Sequence, residues 1–102
     1  MDIQKMMKQA QQAQARMVQL QEELAGETVE SSAGGGMVKV VMTGAQELVS
    51  VTIDPEALDP DDVELLEDMI VAAVNDASRA ATELMNNGMA EITGGMNLPG
   101  LS

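Results

Sequence analysis

MVKVVMTGAQELVSVTID, residues 37–54, reads as two β-strands and the turn that joins them. Val38, Val40 and Met42 fall on one face of the first run, with Lys39 and Val41 on the other; Gly44 to Glu47 makes a tight connection, and Leu48 to Asp54 is a second β-rich run. Upstream, Ala33-Gly34-Gly35-Gly36 is a flexible turn, and Glu27 to Ser32 reads as a polar edge strand. Three strands on short connections predict a small antiparallel sheet. Apolar residues on both of its faces predict cover on both sides, by a helix on one and a second subunit on the other.

Moving outward, both flanks change period from two to three and four. Ile3, Met6, Ala10, Ala13, Met17, Leu20 and Leu24 follow a 3-4-3-4-3-4 spacing, the seam of a coiled-coil-like helix with Gly26 as its stop. Beyond the sheet, Asp59 reads as a cap, Pro60 as the first helical position and Asp62 as the acid three residues on. From there Val63, Leu66, Ile70, Ala73, Ala77, Ala80 and Leu84 repeat the rhythm to about Asn87, where Gly88 is expected to end the helix. The fold class is therefore α+β, of order α-β-β-β-α, as one domain over residues 1–88 with a flexible tail at 89–102. At 1.5 Å per residue the helices span roughly 35 and 40 Å, too long for so small a sheet. They are expected to zip their seams into a projecting arm, two arms in a homodimer.

Composition narrows the chemistry. The 102 residues contain no Cys, His, Phe, Tyr or Trp, and ten Met. That leaves no disulfide, no thiolate nucleophile, no zinc–sulfur site and no imidazole base. The methionines suit core and dimer contacts, or an adaptable peptide-binding surface. The acids Asp59, Asp61, Asp62, Glu64, Glu67 and Asp68 depart from a calcium loop, because Val63 takes the fifth place and no Gly the sixth; they read as charge at a helix N-terminus. Gly34 to Gly36 precede a strand and lack the Lys-Ser/Thr of a phosphate loop. No cofactor, metal or enzymatic activity is expected. Residues 1–21 are polar and no apolar run reaches the ~20 residues of a membrane span, so a cytoplasmic protein is expected.

Net charge is −12, unevenly placed: residues 1–21 carry +2 and residues 22–102 carry −14. On a helical wheel Lys5, Lys8, Gln12, Arg16 and Gln19 form a stripe roughly 125° from the first seam. Three cations and two amides along about 20 Å suit phosphate contacts, although a solvated helix flank has the same composition. Arg79 is expected to pair with Asp76 or Glu83 along its own helix.

The stretches GGMVKVVMTGAQELVSVTIDPEAL (35–58) and DVELLEDMIVAAVNDA (62–77), with the Lys- and Gln-rich opening and the PGL tail, resemble the YbaB/EbfC family of bacterial nucleoid-associated proteins. The resemblance covers nearly the whole chain. It implies a homodimer whose strands build a shared core, with helices projecting as tweezer arms that bind double-stranded DNA, and roles in nucleoid organisation and gene regulation without catalysis. With that resemblance, the wheel's stripe of Lys5, Lys8, Gln12, Arg16 and Gln19 is expected to hold the DNA, and the protein is expected in the nucleoid. The strong acidity departs from a generic DNA binder. The rival reading is an acidic protein–protein adaptor for replication or recombination proteins.

Overall fold

The computed structural model describes residues 2–95, with side chains to residue 91. The elements run α1 (Ile3–Gly26), β1 (Thr28–Ala33), β2 (Val38–Thr43), β3 (Leu48–Ile53), a 3-10 turn (Pro55–Ala57) and α2 (Val63–Gly95). The strands form one antiparallel sheet in the order β1-β2-β3, so the fold is the expected α-β-β-β-α.

Local chemistry sets each boundary. The Asp2 carboxylate accepts the Lys5 backbone N–H at 3.4 Å and caps α1. At the other end the Glu27 N–H returns to the Leu24 carbonyl at 3.2 Å and the chain turns extended. Gly34, Gly35 and Gly36 all take positive φ between β1 and β2, a turn that residues with a Cβ would strain. The start of α2 lies three residues later than Asp59 predicts: the Asp59 carboxylate accepts from Asp61 in a turn, and it is Asp62 that accepts the Leu65 N–H at 3.2 Å. Both acids cap their own backbone, and the second leads into the helix.

Antiparallel partners share a face of the sheet. Val38, Val40 and Met42 pair with Ala33, Ser31 and Val29 on one side and with Ile53, Val51 and Leu48 on the other. A bulge at Val41/Met42 leaves Val49 without an opposite number. On that face Ala73, Ala77 and Ala81 of α2 pack over Val38, Val40 and Met42, and all but Met42 are fully buried. Small residues let the helix sit close to the strands. The buried row steps by four, ending on Ala81 instead of the Ala80 of a heptad, because a straight helix keeps 3.6 residues per turn.

Two expectations change here. The opposite sheet face carries exposed Thr28, Glu30, Ser32, Lys39, Ser50 and Thr52; it is polar, and Val41 is its half-buried exception. The uncovered apolar surface instead lies on the helix side: α2 packs against β1 and β2, while Leu48, Val49 and Val51 of β3 are 51, 58 and 41% exposed. Nor do the helices zip along their lengths, because the α2 seam is occupied by the sheet and only the far end of α2 meets the root of α1.

That meeting explains Gly88. The helix passes straight through it to Gly95, and a Cβ at residue 88 would strike the methyl groups of Leu24. The glycine serves a close approach of α1, not a stop. Leu24 is buried there, and Gly44 lies under the same point, its Cα hydrogen in the place where a Cβ would overlap the Leu24 carbonyl oxygen. Residues 89–95 of the expected tail are thus helical, and 96–102 lie outside the described residues.

From residue 88, α1 continues outward for some 20 residues, and the molecule measures 73 × 25 × 15 Å. The 25 residues from Val63 to Gly88 account for roughly 37 Å and the 21 from Leu24 back to Ile3 for roughly 32 Å. Together they match the long dimension only if α1 runs antiparallel to α2 and past its end. The radius of gyration of 20.2 Å, against about 13 Å for a compact chain of 100 residues, reflects this arm.

Candidate nucleic-acid interface

The N-terminal two-thirds of α1 is the arm, and Lys5, Lys8, Gln12, Arg16 and Gln19 are all exposed on it. One helix carries all five, so the structure keeps the stripe together along about 21 Å. Among the described residues the only ion pair is Arg79–Asp76, 2.8 Å apart, so the cations of the arm have no carboxylate partner. None of the five is packed inside the subunit.

The fold also separates the charges. The acids Asp59, Asp61, Asp62, Glu64, Glu67 and Asp68 sit around the start of α2, at the opposite end of the molecule. Asp68 lies about 30 Å along the axis from Gly88, and the stripe begins beyond that point. With a Debye length of about 8 Å at physiological salt, the field of those acids is largely screened before it reaches the arm. A net charge of −12 is therefore a poor guide to the potential at the stripe; the nearer acids are Asp2 at the tip, beside Lys5, and Glu22, Glu23 and Glu91 at the root. Among the described residues no three carboxylates converge as a metal site.

The other two cations are placed differently. Arg79 is held by Asp76, whose second oxygen accepts the Ser31 hydroxyl at 3.1 Å and ties α2 to β1. These hydrogen bonds, Arg79 first and Ser31 second, lower the Asp76 carboxyl below its ordinary 3.8. Lys39 stands exposed on the polar sheet face, far from the arm.

A second surface was not legible as such in the sequence. The Gln46 amide donates to the Ser78 carbonyl and hydroxyl and to the Thr82 hydroxyl, at 3.2, 2.9 and 3.0 Å, so this flank of α2 faces the β3 side. Val71 lies on the same flank, 57% exposed. With exposed Leu48, Val49 and Val51 it leaves apolar surface open beside the free edge of β3. The signal in the sequence was the unbroken Leu48-Val49, which a strand with one wet face does not need.

No described helix is long and apolar enough to cross a membrane. The model of the YbaB/EbfC DNA-binding family matches residues 1–96. A nucleoid-associated protein of Desulforamulus reducens is 55% identical over 97 residues, which cover 95% of this chain and 92% of that one. One from Pelotomaculum thermopropionicum is 57% identical with the same coverage, and one from Thermoanaerobacter pseudethanolicus 56% over 100 residues, 98% and 90% of the two chains. The crystal structure of an uncharacterized protein, HP0035 from Helicobacter pylori, superposes with a TM-score of 0.75 at 29% identity, covering 91% of this chain and 98% of that one.

Proposed function

From the premise that this chain belongs to the YbaB/EbfC DNA-binding family, we propose that it binds double-stranded DNA through the exposed stripe of α1, with little sequence preference, as a tweezer-like homodimer. It organises the nucleoid and modulates gene expression there, by binding and not by catalysis. The observation that carries this reading is charge placement: in an acidic molecule, the cations without a carboxylate partner are concentrated on the one element that projects from the body.

Lys5, Lys8 and Arg16 neutralise phosphates, and the amides of Gln12 and Gln19 donate to phosphate oxygens. Such contacts set register and orientation but read no sequence, so affinity is general and salt-sensitive. The homodimer is supported by β3. As an edge strand it has an outer row of backbone groups without a strand partner, and pairing β3 with β3 of a second copy would extend the sheet to six strands and bring the exposed Leu48, Val49 and Val51 into the contact. An open edge beside exposed Leu48, Val49 and Val51 is otherwise an aggregation hazard. Two arms then leave one core.

Gel-shift titration against a random duplex at low salt tests the proposal. The parent shifts the duplex, and Lys5→Glu/Lys8→Glu/Arg16→Glu abolishes the shift while helix content and native mass stay unchanged. Persistence of the shift in that variant would remove α1 as the DNA-binding element.

A further inference from the structure

The arm has a second face. Along the α1 seam Leu24 is 6% exposed, Leu20 and Ala13 are half-buried, and exposure rises from 37% at Met17 to 54% at Met6 and 70% at Ile3. The root is covered by the end of α2, whereas Ile3, Met6 and Ala10 are open to solvent. Exposed Ile and Met at coiled-coil spacing on the most protruding part of a protein need an occupant.

We propose that this tip is a docking surface for the same tip of a second copy, in antiparallel register centred on residue 8. The argument is the order of side-chain sizes. In that register Ile3 lies against Ala13 of the second copy and Met6 against Ala10, and symmetry repeats both contacts. Each of the four layers then pairs one large side chain with one small one, the alternation that fills a helix–helix seam. A parallel pair would stack Ile3 on Ile3 and Met6 on Met6, then leave two hollow Ala layers.

Charge agrees with size. Antiparallel pairing brings Asp2 of one copy beside Arg16 of the other, and neither has an ion-pair partner among the described residues. A parallel pair would set Asp2 beside Met7. Where tips meet, Arg16 turns from phosphate to this pair, while Lys5, Lys8 and Gln12 point about 130° away from the seam and stay accessible to a duplex.

Area sets the strength. Covering the open seam on both helices buries on the order of 800 Å² in total, below the ~1,200 Å² of stable complexes. The contact is weak between free molecules and forms where arms are concentrated, since tethering side by side gives effective concentrations of about a millimolar. Arms crowded along one duplex, or on two, meet that condition, and the tip contact links neighbouring molecules into a bridge. The proposal rests on the DNA reading only for this crowding; the pairing itself does not.

The chain has no Cys, so cross-linking has a clean background. Met6→Cys and Ala10→Cys chains are mixed and oxidised without DNA at about 0.5 mM, and with a random duplex at about 1 μM, where free arms rarely meet. A second mixture, Ile3→Cys with Ala13→Cys, checks the register independently. Both mixtures should link at least about threefold more than either variant alone, and the duplex should raise linkage at 1 μM about tenfold or more. Equal linkage in the single variants would mean random or parallel contact and overturn the register. No linkage in either mixture would overturn the pairing. Linkage seen only after deletion of residues 96–102 would overturn it too, by showing that the chain covers its own seam. Linkage at 0.5 mM without enhancement by the duplex would uphold the pairing and count against the DNA reading.

Discussion

Replacing Gly44 by alanine should be the most damaging small change in this chain. Gly44 is buried where the turn after β2 passes under the end of α1, and an added Cβ would overlap the Leu24 carbonyl oxygen. That oxygen is backbone and cannot rotate aside. The turn cannot retreat either, because the Gly44 N–H donates to the Glu27 carbonyl at 2.9 Å. Overpacking costs about 1–3 kcal/mol, and a backbone obstacle places this case at about 3. At roughly 4–8 °C per kcal/mol for a domain of this size, Tm should fall by about 12–24 °C. Gly88→Ala is the contrast. Its Cβ meets only the methyl end of Leu24, and alanine gains about 1 kcal/mol over glycine inside a helix, so the two effects nearly cancel and Tm should move by no more than about 8 °C. Adding Leu24→Val should relieve Gly88→Ala but not Gly44→Ala. Far-UV circular dichroism at fixed protein concentration is the assay, since the chain has no aromatic residue to fluoresce. A Gly44→Ala protein melting within about 3 °C of the parent would refute the packing of α1 on the sheet turn.

Further outcomes follow from the same contacts. If β3 forms the proposed dimer contact, Val51→Asp, placed among the exposed apolar residues at that edge, should give a monomer in sedimentation equilibrium while leaving helix content intact; a mass equal to that of a dimeric parent would move the interface elsewhere. Gln46→Ala removes three hydrogen bonds to α2 at an exposed site and should cost about 1 kcal/mol in chemical denaturation, with Gln46→Asn too short to restore them. Asp76 has a folded pKa held below 3.8 by Arg79 and Ser31, so its contribution to stability is present above that value and is lost as pH falls below about 4. Asp76→Asn should therefore flatten the stability profile in that acid range, and a profile identical to the parent would show that the bonds do not form in solution.

The strands and the two helices were readable because their periods differ: alternation at Val38, Val40 and Met42 cannot be taken for the 3-4 spacing of Ile3 to Leu24. The stripe was readable for the same reason, since five polar residues on a helix of known period have fixed azimuths. What periodicity leaves open is which apolar face meets which. The seam of α2 would suit α1 or the sheet equally well, and the sheet wins because Val38, Val40 and Met42 present a flat face that Ala73, Ala77 and Ala81 can approach closely. Gly88 illustrates the limit. A glycine late in a helix reads as a terminus, and only the position of Leu24 shows that it makes room for a neighbour. Likewise, the caps at Asp59 and Asp62 differ in which backbone N–H each oxygen reaches, and sequence spacing does not contain that distance. The separation of acidic body from basic tip was half visible as charge along the chain and became a distance only once α1 was seen to run beyond α2.

The most direct test of the account is the salt dependence of duplex binding, measured by fluorescence anisotropy between 50 and 200 mM salt. A dimer that engages all six cations of its two stripes should give a slope of log K against log salt near −5, or about three decades of affinity over that range. Each of Lys5→Gln, Lys8→Gln and Arg16→Gln removes two cations per dimer and should make the slope shallower by about 2. A slope near zero in the parent, or one that none of these substitutions changes, would contradict the claim that the exposed flank of the α1 arm holds DNA.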